Sequence, residues 1–254
     1  MLSGLHMYRE RILNTKTHHP AAIRLKDAML DYHDFQNTRK TYTLTTQLAK
    51  LSQWQSERLK HSHNDLYYSP VYQTGLAFLF TDLYSDTDFS DRDRDLERIF
   101  PKMVKLLPNS VLETVSLLVE LNMLTQMLDQ DLATKLFLDL SHTSINEQNY
   151  CEAYQLCKNA QKRAYQIKLT EKLGKKLDKY ARSQVILFSL KLSKGAAESA
   201  GLGALHDFLN SGFKAFHSMQ NIDMLMHTIA MREIQFLKAI MSGNTQPFGF
   251  NIEI

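Results

Sequence analysis

The chain has 254 residues, enough to bury a sizeable core, and its 44% hydrophobic and 22% charged residues exclude wholesale disorder. Nine Gly and five Pro are few for a protein built of hairpins, and the excess of Leu, Lys, Ala, Gln and Met over Val and Ile favours helices over strands. The net charge is only +3, so any marked electrostatic feature must be local.

In chain order, Pro20 sits after His18 and His19 at a position suited to the first turn of a helix. Residues from about Tyr42 to Tyr68 place Leu48, Leu51, Trp54, Leu59 and Leu66 at helical spacing, and Ser69-Pro70 breaks the pattern. A helix over about Val71 to Tyr84 follows, with Tyr72, Leu76, Leu79, Phe80 and Leu83 on one face. Next comes the acidic stretch Asp86–Glu97, where Ser90 is expected to cap a helix with Asp91 and Asp93 in its first turn and Phe89 as a staple. Pro101 is expected to end or kink that helix, and Pro108 to open the next, which runs from Val111 to about Leu140. Beyond the loop at His142-Thr143-Ser144, helices extend from about Asn146 to Lys194, with Gly174 as a candidate stop. Two more cover about Leu202–Met219 and Ile222–Met241, and a loop-like tail occupies 242–254. The expected fold is all-α: a multi-helix bundle in one domain over 1–254, or two packed helical lobes, 1–145 and 146–241.

The start of the chain lacks the apolar core of a secretory signal. Uninterrupted apolar runs such as Val185–Phe188 fall far short of the ~18 residues that span a bilayer. Together these lead to the expectation of a cytoplasmic protein with no transmembrane segment. Cys151 and Cys157 are six residues apart, about 240° round a helix, so they cannot bridge locally. Two thiols do not make a zinc site either, and free thiols in a reducing compartment are expected.

The run Phe78-Leu79-Phe80-Thr81-Asp82-Leu83-Tyr84 resembles the signature of an uncharacterised proteobacterial family named for the string FFLEELY. Three further stretches are similar to that family: Trp54–Leu59, Asp88–Asp93 with Phe100-Pro101, and Ala200–Leu209. Thr81 and Asp82 depart from the two Glu of the family string. The resemblance implies an all-helical bacterial protein and carries no substrate, cofactor or catalytic residue.

No catalytic or cofactor motif emerges from the residues themselves. The oxygen ligands from Asp86 to Glu97 echo a calcium loop, but Asp91 stands where such a loop needs Gly, and a helix cap accounts for the same carboxylates. His61 and His63 point about 200° apart on a helix. A looser set, Glu113, Glu120, His206, His217, Asp223 and His227, offers the alternative of a haem-oxygenase-like metal or small-ligand enzyme. Gly201-Leu202-Gly203 lacks both the third small residue and the preceding strand of a dinucleotide site, so close helix approach is the better reading. The aromatic group Tyr67, Tyr68, Tyr72, Phe78, Phe80 and Tyr84 reads as core rather than as a ligand pocket.

The one uneven charge feature is basic. Residues 158–194 hold eleven Lys and Arg against two acids, Glu171 and Asp178. On a continuous helix Lys168, Lys172, Lys175, Lys176, Lys179 and Arg182 share an arc of about 120°, beside the apolar stripe of Leu169, Leu173 and Leu177. Such a face is either plain solvated surface or the contact for an anionic partner: an acidic protein, a nucleic acid or an anionic membrane surface. The leading expectation is therefore a non-enzymatic interaction or adaptor protein that uses this face. A stop at Gly174 would split it.

Overall fold

The computed structural model describes residues 9–39, 44–82, 98–105 and 107–254. Well over half of these are helical and no strand occurs among them, so the chain is an all-α, multi-helix protein. The helices with full bounds are α1 (Pro20–Arg39), α2 (Thr45–Ser62), α3 (Asn64–Tyr67), α4 (Gln73–Asp82), α5 (Asn109–Ala133), α6 (Glu147–Leu156), α7 (Ala160–Ala181), α8 (Gln184–Ser199), α9 (Gly203–Ser218) and α10 (Ile222–Met241). Residues 9–14 and 98–105 are also helical, and α5 runs on into a π-helical turn, Thr134–Asp139. Leu83, Tyr84, Ser90, the Phe80 side chain and the acidic stretch Asp86–Glu97 lie outside the described residues.

Local chemistry explains several boundaries. Pro20 does open α1, and the His19 ring accepts from the Ala21 N–H at 3.2 Å. Asn146 and Asn149 cap α6 reciprocally, each side chain accepting from the other's backbone N–H. The Ser183 hydroxyl accepts from the Ile186 N–H at the start of α8. Neither candidate helix stop is one. Pro101 does not end its helix, which continues through residue 105. Gly174 does not end α7 either: it is a buried mid-helix residue, and a Cβ there would meet the Met226 side chain of α10.

The chain divides into two compact units, each assembled from separated stretches. One draws on residues 1–42, 88–123 and 183–211, and its core joins Ile12, Leu25, Met29, Phe100, Leu112 and Val119. The other draws on 43–87, 124–182 and 212–254. It holds two clusters, one around Trp54, Leu136, Tyr150 and Phe250, the other around Leu76, Phe216, Leu225 and Met226. Within this second unit α7 and α10 pack along one another.

The stretch Asn109–Asp139 is long and apolar enough, by length and composition alone, to cross a membrane. Interspersed polar residues conceal it from a search for uninterrupted runs. Several of its apolar side chains are packed in the protein: Leu112 and Val119 lie in the first unit's core, and Leu132 and Leu136 in the second's.

The tail over 242–254 has no regular structure but is anchored. Phe248 and Phe250 are buried against Trp54, whose indole N–H donates to the Ile252 carbonyl at 3.1 Å. The buried Glu147 carboxylate accepts from the backbone N–H groups of Phe248, Gly249 and Phe250. Ile145 and Ile254 exchange two backbone hydrogen bonds.

Candidate functional site

The basic residues sit as helical geometry requires. Because α7 is uninterrupted from Ala160 to Ala181, Lys168, Lys172, Lys175, Lys176 and Lys179 share one face, and Arg182 caps its end. The opposite face is core, with Leu169, Leu173 and Gly174 buried, so the stripe points away from the packing surface. Two of the six cations serve the fold. Arg182 binds the Asp178 carboxylate at 2.9 Å and the carbonyls of His217 and Met219. Lys175 pairs with Glu171 at 3.0 Å, and that contact and His227 hold the Glu171 carboxyl below its usual range. Lys176 is half-buried. Lys168, Lys172 and Lys179 are exposed and have no ion-pair partner among the described residues. Tyr165, 47% exposed, lies on the same arc one turn before Lys168.

The alternative metal set does not come together. Among the described residues no group of three or more His, Cys, Asp and Glu is placed to hold an ion. Glu113 pairs with Arg24, the His206 ring meets the Leu190 carbonyl, the His217 ring the Ala181 carbonyl, and His227 pairs with Glu171. Asp223 lies in the first turn of α10, where it favours the helix dipole. Glu120 is half-buried in α5. A Cβ on Gly203 would meet open space, so close helix approach does not explain the glycine pair; Gly201 has a φ of +66° and makes the turn between α8 and α9. Tyr67, Tyr72 and Phe78 pack on the second unit's core, while Tyr68 is exposed.

Inspection of the sequence did not find the buried polar group in the second unit. Arg58 of α2 donates to the Glu233 carboxylate of α10 at 2.5 Å, and the fully buried His63 reaches the same oxygen at 2.9 Å. Burial pushes the Glu233 carboxyl up, but the facing Arg58 and the His63 hydrogen bond outweigh it and bring it down to about 2. Arg163 of α7, also buried, donates to the Leu128 carbonyl at 2.9 Å, lies 3.8 Å from Asp129 and stacks 4.7 Å over the Tyr154 ring. Gln55 donates to Asp129 at 3.1 Å. Burial raises the Tyr150 and Tyr154 hydroxyls, so both stay protonated donors. It also pushes Cys151 up to about 12 and Cys157 to about 11, which leaves two free and unactivated thiols. Arg58, Glu233, Arg163, Asp129, Gln55 and the two tyrosines, but neither cysteine, line one end of a cavity of about 100 Å³, whose other end is apolar, with Leu59, Leu79, Met226 and Ile229.

No curated protein matches the chain, and no solved structure does. A family model described as Domain of unknown function (DUF8198) matches residues 34–247, which takes in every helix from the end of α1 to α10 and stops before Phe248. The chain belongs to that family.

Proposed function

We propose that this chain is a non-enzymatic interaction protein that binds a polyanionic partner through the exposed face of α7. The observation that carries the reading is Lys168, Lys172 and Lys179, exposed on one unbroken helix face and without ion-pair partners among the described residues. Like charges at this helical spacing repel, which gives folding nothing. An anionic partner turns the same repulsion into attraction. Lys175 and Arg182 belong to the fold, so the contact set narrows to those three lysines with Lys176 beside them. Among acidic proteins, nucleic acids and anionic membranes, the exposed Tyr165 favours nucleic acid, because an aromatic ring beside a row of cations is a stacking platform for bases. In keeping with the residue strings similar to the FFLEELY family, we read the protein as bacterial and cytoplasmic.

The test compares the unmodified chain with a Lys168→Glu, Lys172→Glu, Lys179→Glu triple variant. Each is titrated against a fluorescent single-stranded oligonucleotide, polyglutamate and anionic lipid vesicles at low and raised salt. Oligonucleotide binding should weaken with salt, and the variant should lose it while melting as before. Three phosphate contacts on a single strand correspond to a log–log salt slope of about −2. Equal binding by both proteins overturns the reading; binding only to vesicles or polyglutamate overturns the choice of nucleic acid.

A further inference from the structure

We propose that the cavity in the second unit is a binding site for a small neutral carboxamide. It lies on the buried side of α7, independent of the cationic face, since Arg163 is about half a turn round the helix from the lysine stripe. Its lining residues come from α2, α4, α5, α6, α7, α10 and the tail, so many separated stretches converge on it.

Charge decides the class of ligand. At the polar end Arg58 faces Glu233 and Arg163 faces Asp129, two cations against two carboxylates, and the third lining carboxylate, Glu171, is neutralised by Lys175. An added anion or cation would be uncompensated in a low-dielectric site and costly to bury. Among the polar atoms of the lining residues that lack a protein hydrogen-bond partner among the described residues are the Arg163 Nε donor and the Gln55 Oε1 acceptor. The Gln55 amide is oriented by Asp129, a carboxylate that only accepts, so its NH2 points there and its oxygen is left over. Both side chains are at least nine-tenths buried. A ligand that completes the site therefore offers an acceptor and a donor with no net charge. The carbonyl of a primary amide accepts from Arg163, and its NH2 donates to Gln55. A short branched alkyl group fits the Leu59, Met226 and Ile229 end. An apolar cavity of about 150 Å³ holds benzene, so about 100 Å³ suits roughly four to six non-hydrogen atoms.

The test is a titration of the full chain with three molecules of one shape: isobutyramide, its carboxylate isobutyrate and the matching methyl ketone. Saturation-transfer NMR and thermal shift are the readouts. So few atoms limit affinity, and saturation by the amide is expected at about millimolar concentration or below. The ketone leaves the Gln55 oxygen unpaired and should bind roughly tenfold more weakly or worse. Isobutyrate should not saturate. Gln55→Leu should abolish the preference for amide over ketone. Ala230→Leu, which fills the apolar end from α10, should abolish amide binding with the melting temperature kept or raised, and it decides the matter if Gln55→Leu fails to fold. Isobutyrate binding as well as the amide overturns the proposal, as does equal binding of amide and ketone. No saturation by the amide, as expected of a cavity that holds water alone, or amide binding that survives Ala230→Leu, also overturns it.

Discussion

A Cβ built on Gly174 would lie 2.5 Å from Met226 Cγ, because α7 and α10 pass each other there with only a hydrogen on the α7 side. The glycine thus admits the close approach of α10 inside an unbroken α7, which carries the lysines before and after Gly174 on one face. Gly174→Ala should lower stability by about 1–3 kcal/mol, despite the ~1 kcal/mol that alanine gains in helix propensity. Met226→Ala in the same chain removes the collision, so the double variant should be less destabilised than the sum of the two. Urea denaturation of the four proteins checks this. A Gly174→Ala protein more stable than the parent would show that the helices do not meet there.

The Glu147 carboxylate holds three backbone N–H groups of the tail, and the tail in turn covers Trp54, the single tryptophan of the chain. Glu147→Gln keeps one acceptor oxygen and turns an NH2 toward N–H groups that need acceptors. A loss of about 1–3 kcal/mol is expected. Trp54 is fully buried, so its emission should shift to the red at denaturant concentrations where far-ultraviolet circular dichroism is still native. Coincident transitions in both signals would mean that the tail does not detach first.

The helices were legible because apolar residues recur at helical spacing: Ile222–Met241 is α10, and Leu202–Met219 overlaps α9 to within a residue at each end. The cationic face was legible for the same reason. What remained hidden depends on partners far apart in sequence, such as Arg58 with Glu233 and Glu147 with Phe248. One local signal for the buried network did exist. Glu233 falls in the middle of the apolar face of α10, four residues after Ile229 and four before Leu237, where a solvated carboxylate does not belong. Gly174 shows the opposite error. Its sequence context suits a helix end, and only the approach of α10 shows why a glycine stands inside a helix.

Burial raises both thiols, Cys151 to about 12 and Cys157 to about 11, so almost no thiolate exists at pH 8. Neither cysteine of the native protein should react with a disulfide reagent within minutes, and both should react at once in guanidinium. Rapid labelling of one thiol in the native state would indicate that Cys157, the more exposed of the two, has an activating neighbour.

The Arg58–Glu233–His63 group makes stability sensitive to acid. The Glu233 carboxyl titrates at about 2 in the folded chain, against 4.5 for a free side chain. A depressed folded value means that the unfolded chain takes up the proton first as pH falls. The stabilisation is complete above about pH 5 and drains away as pH drops from there through about 2. It amounts to about 3 kcal/mol at neutral pH, as an order of magnitude. Glu233→Gln removes the carboxylate facing a buried guanidinium, so at pH 7 it should cost about 3–5 kcal/mol. The variant's stability should also fall less steeply than the parent's between pH 5 and 3, since its amide has no proton to gain. Denaturation curves at pH 7, 5, 4 and 3 for both proteins give the two slopes. Parallel slopes would mean that Glu233 ionises alike in the folded and unfolded chains, and that the ion pair with Arg58 contributes nothing that depends on pH.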